Sequence, residues 1–228
     1  MKKILSSLLI LGLAGLGLGQ DPVFSGPQAG EKLPILKVRA VFDPHAGKEI
    51  DLVALAGGKP LVLIFVHEVN RPAIGMARTL ATYTKTREKD GLTTGVVLLT
   101  DDPAEGEATL KRVKGALGEA VHTVSLDGKE GPGAYGLNRK VSLTILVANQ
   151  GKVSANFALI QPSLQADLPK ILEAVVKVAG GKAPKVEDLV GMPVARPKNA
   201  EPDPRLRELL RPVIQKDATP EEVDKAAK

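Results

Sequence analysis

Apolar residues in this chain gather into short runs separated by Gly, Pro and charge. LVLIFV over 61–66 and GVVLLT over 95–100 are continuous apolar stretches of β-prone residues, the pattern of strands buried on both faces. Val121 to Leu126 reads as a third strand and LTILVA over 143–148 as a fourth. After the last, Asn149-Gln150-Gly151 predicts a tight turn into a return strand over 152–159, making a hairpin. Looser alternation over 33–42 predicts an edge strand or hairpin arm. The short apolar piece 50–55 runs into a turn at Gly57-Gly58.

Between the strands the apolar period lengthens to that of helices. Pro72 suits a first helical turn, and a helix from there to about 89 turns Ile74, Ala77 and Ala81 inward before Gly91 stops it. Asp102, Pro103 and Glu105 have the order of an N-cap, a first-turn proline and an N3 acid. The helix they open carries Leu110, Val113 and Leu117 on one face, with Lys111, Arg112 and Lys114 on the solvated side. Leu164, Leu168, Ile171, Leu172, Val175 and Val176 mark a third amphipathic helix. Strands alternating with helices, then a hairpin and a closing helix, predict an α/β domain over 33–180. Its central mixed sheet has helices packed on both faces.

Outside that domain the composition changes. Residues 20–32 read as an irregular lead-in. Five prolines, Pro184, Pro193, Pro197, Pro202 and Pro204, mark 181–204 as a linker or surface wrap. Beyond it, Leu206, Leu209, Leu210, Val213 and Ile214 share one helix face, so 205–228 reads as a helical tail. Pro212 kinks or shortens its first helix, and Thr219-Pro220-Glu221-Glu222 opens a second one. The apolar face of 205–214 needs a cover. It packs on its own domain, binds a protein partner, or holds the chain as one subunit of an exported assembly.

The first 19 residues read as an address. Met1, Lys2 and Lys3 precede ILSSLLILGLAGLGLG, and Gly17 and Gly19 set small residues before a cut at Gln20. That is the plan of a secretory signal peptide. The apolar stretch of about 16 residues is shorter than the roughly 20 that span a bilayer, so no membrane association is expected after cleavage. A periplasmic or extracellular location follows. Loss of Lys2 and Lys3 lowers the formal charge from +5 to +3, and aromatics make up only 3% of the chain, so nucleic-acid binding is not supported. The cysteine count is zero. An exported chain with no disulfides must rest on its core.

The order of these pieces resembles the thioredoxin-like superfamily over about 30–180, in particular its exported redoxin and peroxiredoxin-type branches. KPLVLIFVHEVNRP is similar to the strand and turn that carry the active cysteines. GVVLLTDD is similar to the second core strand with its trailing acid. YGLNRKVSLTILVANQGKV is similar to the cis-proline loop, strand and turn that follow. The resemblance implies a redox site, and the residues at its positions do not supply one. Where Cys-x-x-Cys would fall stand Asn70, Arg71, Pro72 and Ala73; a peroxidatic register falls on His67 or its neighbours. The cis-proline position falls on Val141 or Ser142. Thiol exchange needs a thiolate, so no catalytic residue is carried over, and the chain is read as a redox-inactive binding or scaffold module.

Other chemistry at the same place has few candidates. His67 and Glu68 stand at the carboxyl end of the central strand, where α/β folds bind ligands, with His45 or His122 as a third member of a metal or acid–base group. Neighbours on extended backbone point to opposite sides, and HEVNR lacks the second His of a helical zinc motif, which favours a polar strand end. Arg71 near a helix N-terminus is a candidate anion contact. Gly131–Gly136 matches G-x-G-x-x-G in letters only, since it precedes a strand and contains Pro132. No metal and no cofactor is assigned.

Overall fold

A computed structural model of the chain describes residues 23–42 and 44–190. The leader at 1–19, the linker beyond 190 and the tail at 205–228 lie outside the described residues. Strands β1 (Lys37–Ala40), β2 (Glu49–Asp51), β3 (Leu61–Val66), β4 (Thr93–Leu98), β5 (Val121–Ser125), β6 (Leu143–Asn149) and β7 (Lys152–Leu159) form one sheet in the order β2-β1-β5-β4-β3-β6-β7. Helices α1 (Leu52–Ala56), α2 (Arg71–Lys85), α3 (Pro103–Val113), α4 (Leu168–Ala179) and α5 (Val186–Val190) complete it.

Every residue of β3 is buried, as its uninterrupted apolar letters require. It pairs in parallel with β4 on one side and antiparallel with β6 on the other. The crossovers through α2 and α3 shift the chain in one direction across β3, β4 and β5. Right-handed crossovers therefore lay both helices on the same face. There Val62, Ile64 and Val66 meet Met76, Leu80, Leu110, Ile171 and Leu172 in one core cluster.

The opposite face departs from the expectation of helices on both sides. Leu61, Leu63 and Phe65 point there into a cluster closed by Leu33, Leu36, Leu52 and Tyr135. The one α-helix among its described residues is the five-residue α1; the rest of the cover is irregular chain and the 3₁₀ turn that carries Tyr135. The continuous apolar strands require two covers but do not specify helical ones. The chain ahead of β1 holds no named strand, yet its Leu36 is fully buried. Its backbone zips onto the start of β7 through Gly30 N–H to Val153 O at 2.8 Å and Leu33 N–H to Gly151 O at 2.9 Å.

Three other boundaries differ from expectation. Residues 33–42 hold a hairpin arm, but β1 is flanked by β2 and β5, and β2 takes the edge. The helix marked by Leu164 starts at Leu168, because Ser163 N–H donates to Asp167 Oδ2 at 2.8 Å in a closed turn first. Helix α5 falls within the expected linker, with Leu189 buried in the core. The hairpin turn agrees with its letters: Gln150 and Gly151 have φ of 51° and 70°, the pair of left-handed residues that a two-residue β-turn needs.

One side chain fastens the lead-in. Asn156 Nδ2 donates to Ser25 O and Pro27 O at 2.8 Å each, and reaches Gly26 O at 3.3 Å. Asn156→Ala should cost about 1–3 kcal/mol and speed amide exchange at Gly30 and Leu33. Asn156→Asp should cost more, since it turns a carboxylate on three carbonyl oxygens. Unchanged exchange in both variants would show that Leu33 and Leu36 alone hold the segment.

Candidate functional site

Strand β3 ends at Val66 and the chain reaches the surface at Glu68, while the neighbouring strand β6 begins at Leu143. Three loops converge there: 67–72 after β3, the segment ahead of β6, and 160–163 after β7. Together they enclose an open cleft of about 960 Å³. It brings Asn70 and Pro72 together with Val141 and Ser142. Those are two pairs of the positions where the sequence resemblance places its redox site.

Hydrogen bonds link the two loops. Asn70 is the N-cap of α2, its Oδ1 accepting from Ala73 N–H at 2.9 Å. Such a cap contributes about 1 kcal/mol. Its amide nitrogen donates to Glu68 Oε2 at 2.9 Å and to Ser142 Oγ at 3.3 Å. The Ser142 hydroxyl lies 3.2 Å from Glu68 Oε2 and 2.8 Å from Ile160 O, so its one proton serves either acceptor. Backbone bonds set the separation, with His67 N–H donating to Ser142 O at 3.0 Å. At the positions where the sequence resemblance would put a dithiol and a proline, the chain has a cap, an amide and a hydroxyl that satisfy one another.

His67 and Glu68 part company, as alternation on extended backbone requires. The His67 ring turns to the Phe65 face, and its Nε2 bonds Thr144 Oγ1 at 2.9 Å. Thr144 Oγ1 bonds Ser25 Oγ at 2.5 Å, and Ser25 Oγ accepts from Asn138 N–H at 3.0 Å. The lead-in is thereby wired to the floor of the cleft. Nδ1 of His67 is buried without a partner. Burial pushes the imidazole down to about 4, so the ring is neutral at physiological pH.

The third members offered for a His67–Glu68 group are elsewhere. His122 stands opposite Val96, and Val96 opposite Ile64, which puts His122 two strands away on the helix face. It is buried beside Phe42, ring centroids 5.8 Å apart. His45 sits in the turn between β1 and β2. Because β1 runs antiparallel to β5, that turn is at the other end of the sheet. Among the described residues no three His, Cys, Asp or Glu side chains gather closely enough to hold a metal ion. Arg71 is exposed on the first turn of α2 and does not line the cleft. Gly131–Gly136 is a loop with a 3₁₀ turn at Gly133–Tyr135.

Sequence reasoning missed two parts of the site. Lys129, Arg139 and Lys140 line one wall, although 129 and 139 are ten residues apart in an irregular loop with no periodicity to mark a shared face. The buried polar relay was missed as well. Its one trace in the sequence is Thr144, a lone hydroxyl inside an apolar strand.

No family model and no curated protein matches the chain. Solved structures do. A thiol:disulfide interchange protein from Bacteroides sp. aligns with a TM-score of 0.51 at 16% identity, covering 69% of this chain and 93% of its own. Peroxidoxin BcpB from Mycobacterium tuberculosis gives 0.50 at 16%, covering 66% and 97%. An uncharacterized conserved protein from Geobacillus kaustophilus gives 0.52 at 13%, covering 74% and 92%. At these identities the likeness is one of fold. The chain has a thioredoxin-like fold, and it is a cysteine-free example of that fold.

The depressed His67 pKa has a direct consequence for stability. The unfolded chain takes up a proton near pH 6.5, whereas the folded ring resists until about 4. Stability is therefore full above pH 6.5 and falls as pH drops from there toward 4. His122 is lowered by burial too and acts in the same direction. An NMR titration should give His67 a midpoint near 4, and His67→Gln should flatten part of the slope. A midpoint at the ordinary histidine value would contradict the neutral relay.

Proposed function

We propose that this is an exported thioredoxin-like protein that works without thiol chemistry, as a binding module through the cleft at the carboxyl end of β3. The persistence of the cleft carries this proposal. Its volume of about 960 Å³ lies in the range of ligand sites, while the groups where thiols would stand are spent on one another. A polypeptide segment is the occupant of suitable size. Export is supported by the basic start, the apolar run and the small residues before Gln20.

Amide spectra of the full chain, recorded with a pool of short peptides of mixed composition, test the proposal. Shifts concentrated at Asn70, Ser142 and Ile160 are expected. Shifts confined to other surfaces, or none at all, would overturn it.

A further inference from the structure

We infer that the cleft selects acidic polypeptide segments in which carboxylates alternate with apolar side chains; this rests on the binding-module proposal above. The charge of the lining is lopsided. Lys129, Arg139 and Lys140 stand on the wall built by the loop before β6, and Glu68 is the one acid among the lining residues. Glu68 Oε2 accepts from Asn70 Nδ2 and lies within reach of the Ser142 hydroxyl, which orients the carboxylate and leaves its charge in place. The lining itself therefore carries three positive charges against one negative.

Lys129 pairs with Asp101 at 3.1 Å and Arg139 with Glu130 at 2.8 Å. All four side chains are more than half exposed, a setting in which ion pairs exchange readily with other partners. Lys140 is exposed and has no acidic partner within salt-bridge distance among the described residues. Arg71 adds a further positive charge on the adjacent first turn of α2. A ligand carboxylate entering the cleft meets cations that solvent-exposed partners hold weakly.

Apolar groups at the rim point to polypeptide. Val69 and Ile160 are 48% and 47% exposed. Ile160 lines the cleft, and Val69 stands between the lining residues Glu68 and Asn70. Two such exposed side chains flanking a cationic wall match apolar anchors set beside acidic ones. A nucleic acid, the other polyanion such a wall would attract, would find no Phe, Tyr or Trp among the lining residues for base stacking.

The test uses full-length protein and two fluorescein-labelled peptides, one alternating Glu with Val and Leu, the other carrying Lys in place of each Glu. Anisotropy should show the Glu peptide binding at least about tenfold more tightly at low salt and weakening toward about 0.5 M salt. Lys140→Glu and Arg139→Glu should each remove most of that preference. Lys140→Gln should remove part of it, and both positions are exposed enough for folding to survive. Equal binding of the two peptides, with amide shifts still at Asn70 and Ser142, would overturn the charge selection and leave the binding module standing. Binding of neither would overturn both. Displacement of the Glu peptide by equimolar inorganic phosphate would reassign the wall to small anions and overturn the polypeptide assignment.

Discussion

Strand β3 is buried on both faces and hydrogen-bonded along both edges, and the rest of the molecule is arranged around that fact. All six side chains of this strand are apolar, so the polar groups it positions come immediately after it. His67, Glu68 and Asn70 follow within four residues of Val66. Strand β6, bound to β3 in antiparallel register, brings Ser142 to the same point from the opposite direction. The cleft is a consequence of where two buried strands must end. Its position depends on no reactive residue, which is how it persists in a chain without cysteine.

What occupies the loops determines what the cleft can do. A thiolate would need an electropositive, partly exposed setting to be reactive. Asn70 instead caps α2 and braces Glu68 and Ser142, so its polar atoms are committed to local structure. His67 is held neutral by burial, and its bond to Thr144 ties the cleft floor to Ser25 in the lead-in. The same side chains tie the loops of the site to one another. A partly apolar cleft with cations along one side is what the proposed binding role requires.

Much of the fold was legible in the letters. LVLIFV and LTILVA announced buried strands because no charge interrupts them, and Asn149-Gln150-Gly151 announced a turn because Gly151 accepts a left-handed backbone without steric cost. The cover of the second face was not legible. Leu33, Leu36 and Tyr135 carry no period that distinguishes a wrapped segment from a loop, and their burial is set by tertiary packing alone. At the site, the resemblance pointed to Asn70–Ala73 and Ser142, and Asn70 and Ser142 do meet in one cleft. The cationic wall was not legible, because Lys129, Arg139 and Lys140 converge only through loop geometry. His122 and His45 looked like partners for His67 until strand direction placed them elsewhere.

The central proposal is that a fold usually associated with thiol exchange works here by noncovalent contact. Reduction of insulin disulfides by dithiothreitol, and consumption of hydrogen peroxide, followed with purified full-length protein, address it most directly. Both rates should stay at those of the protein-free blank at every protein concentration. A rate rising in proportion to the protein, and retained through repeated purification, would contradict the proposal.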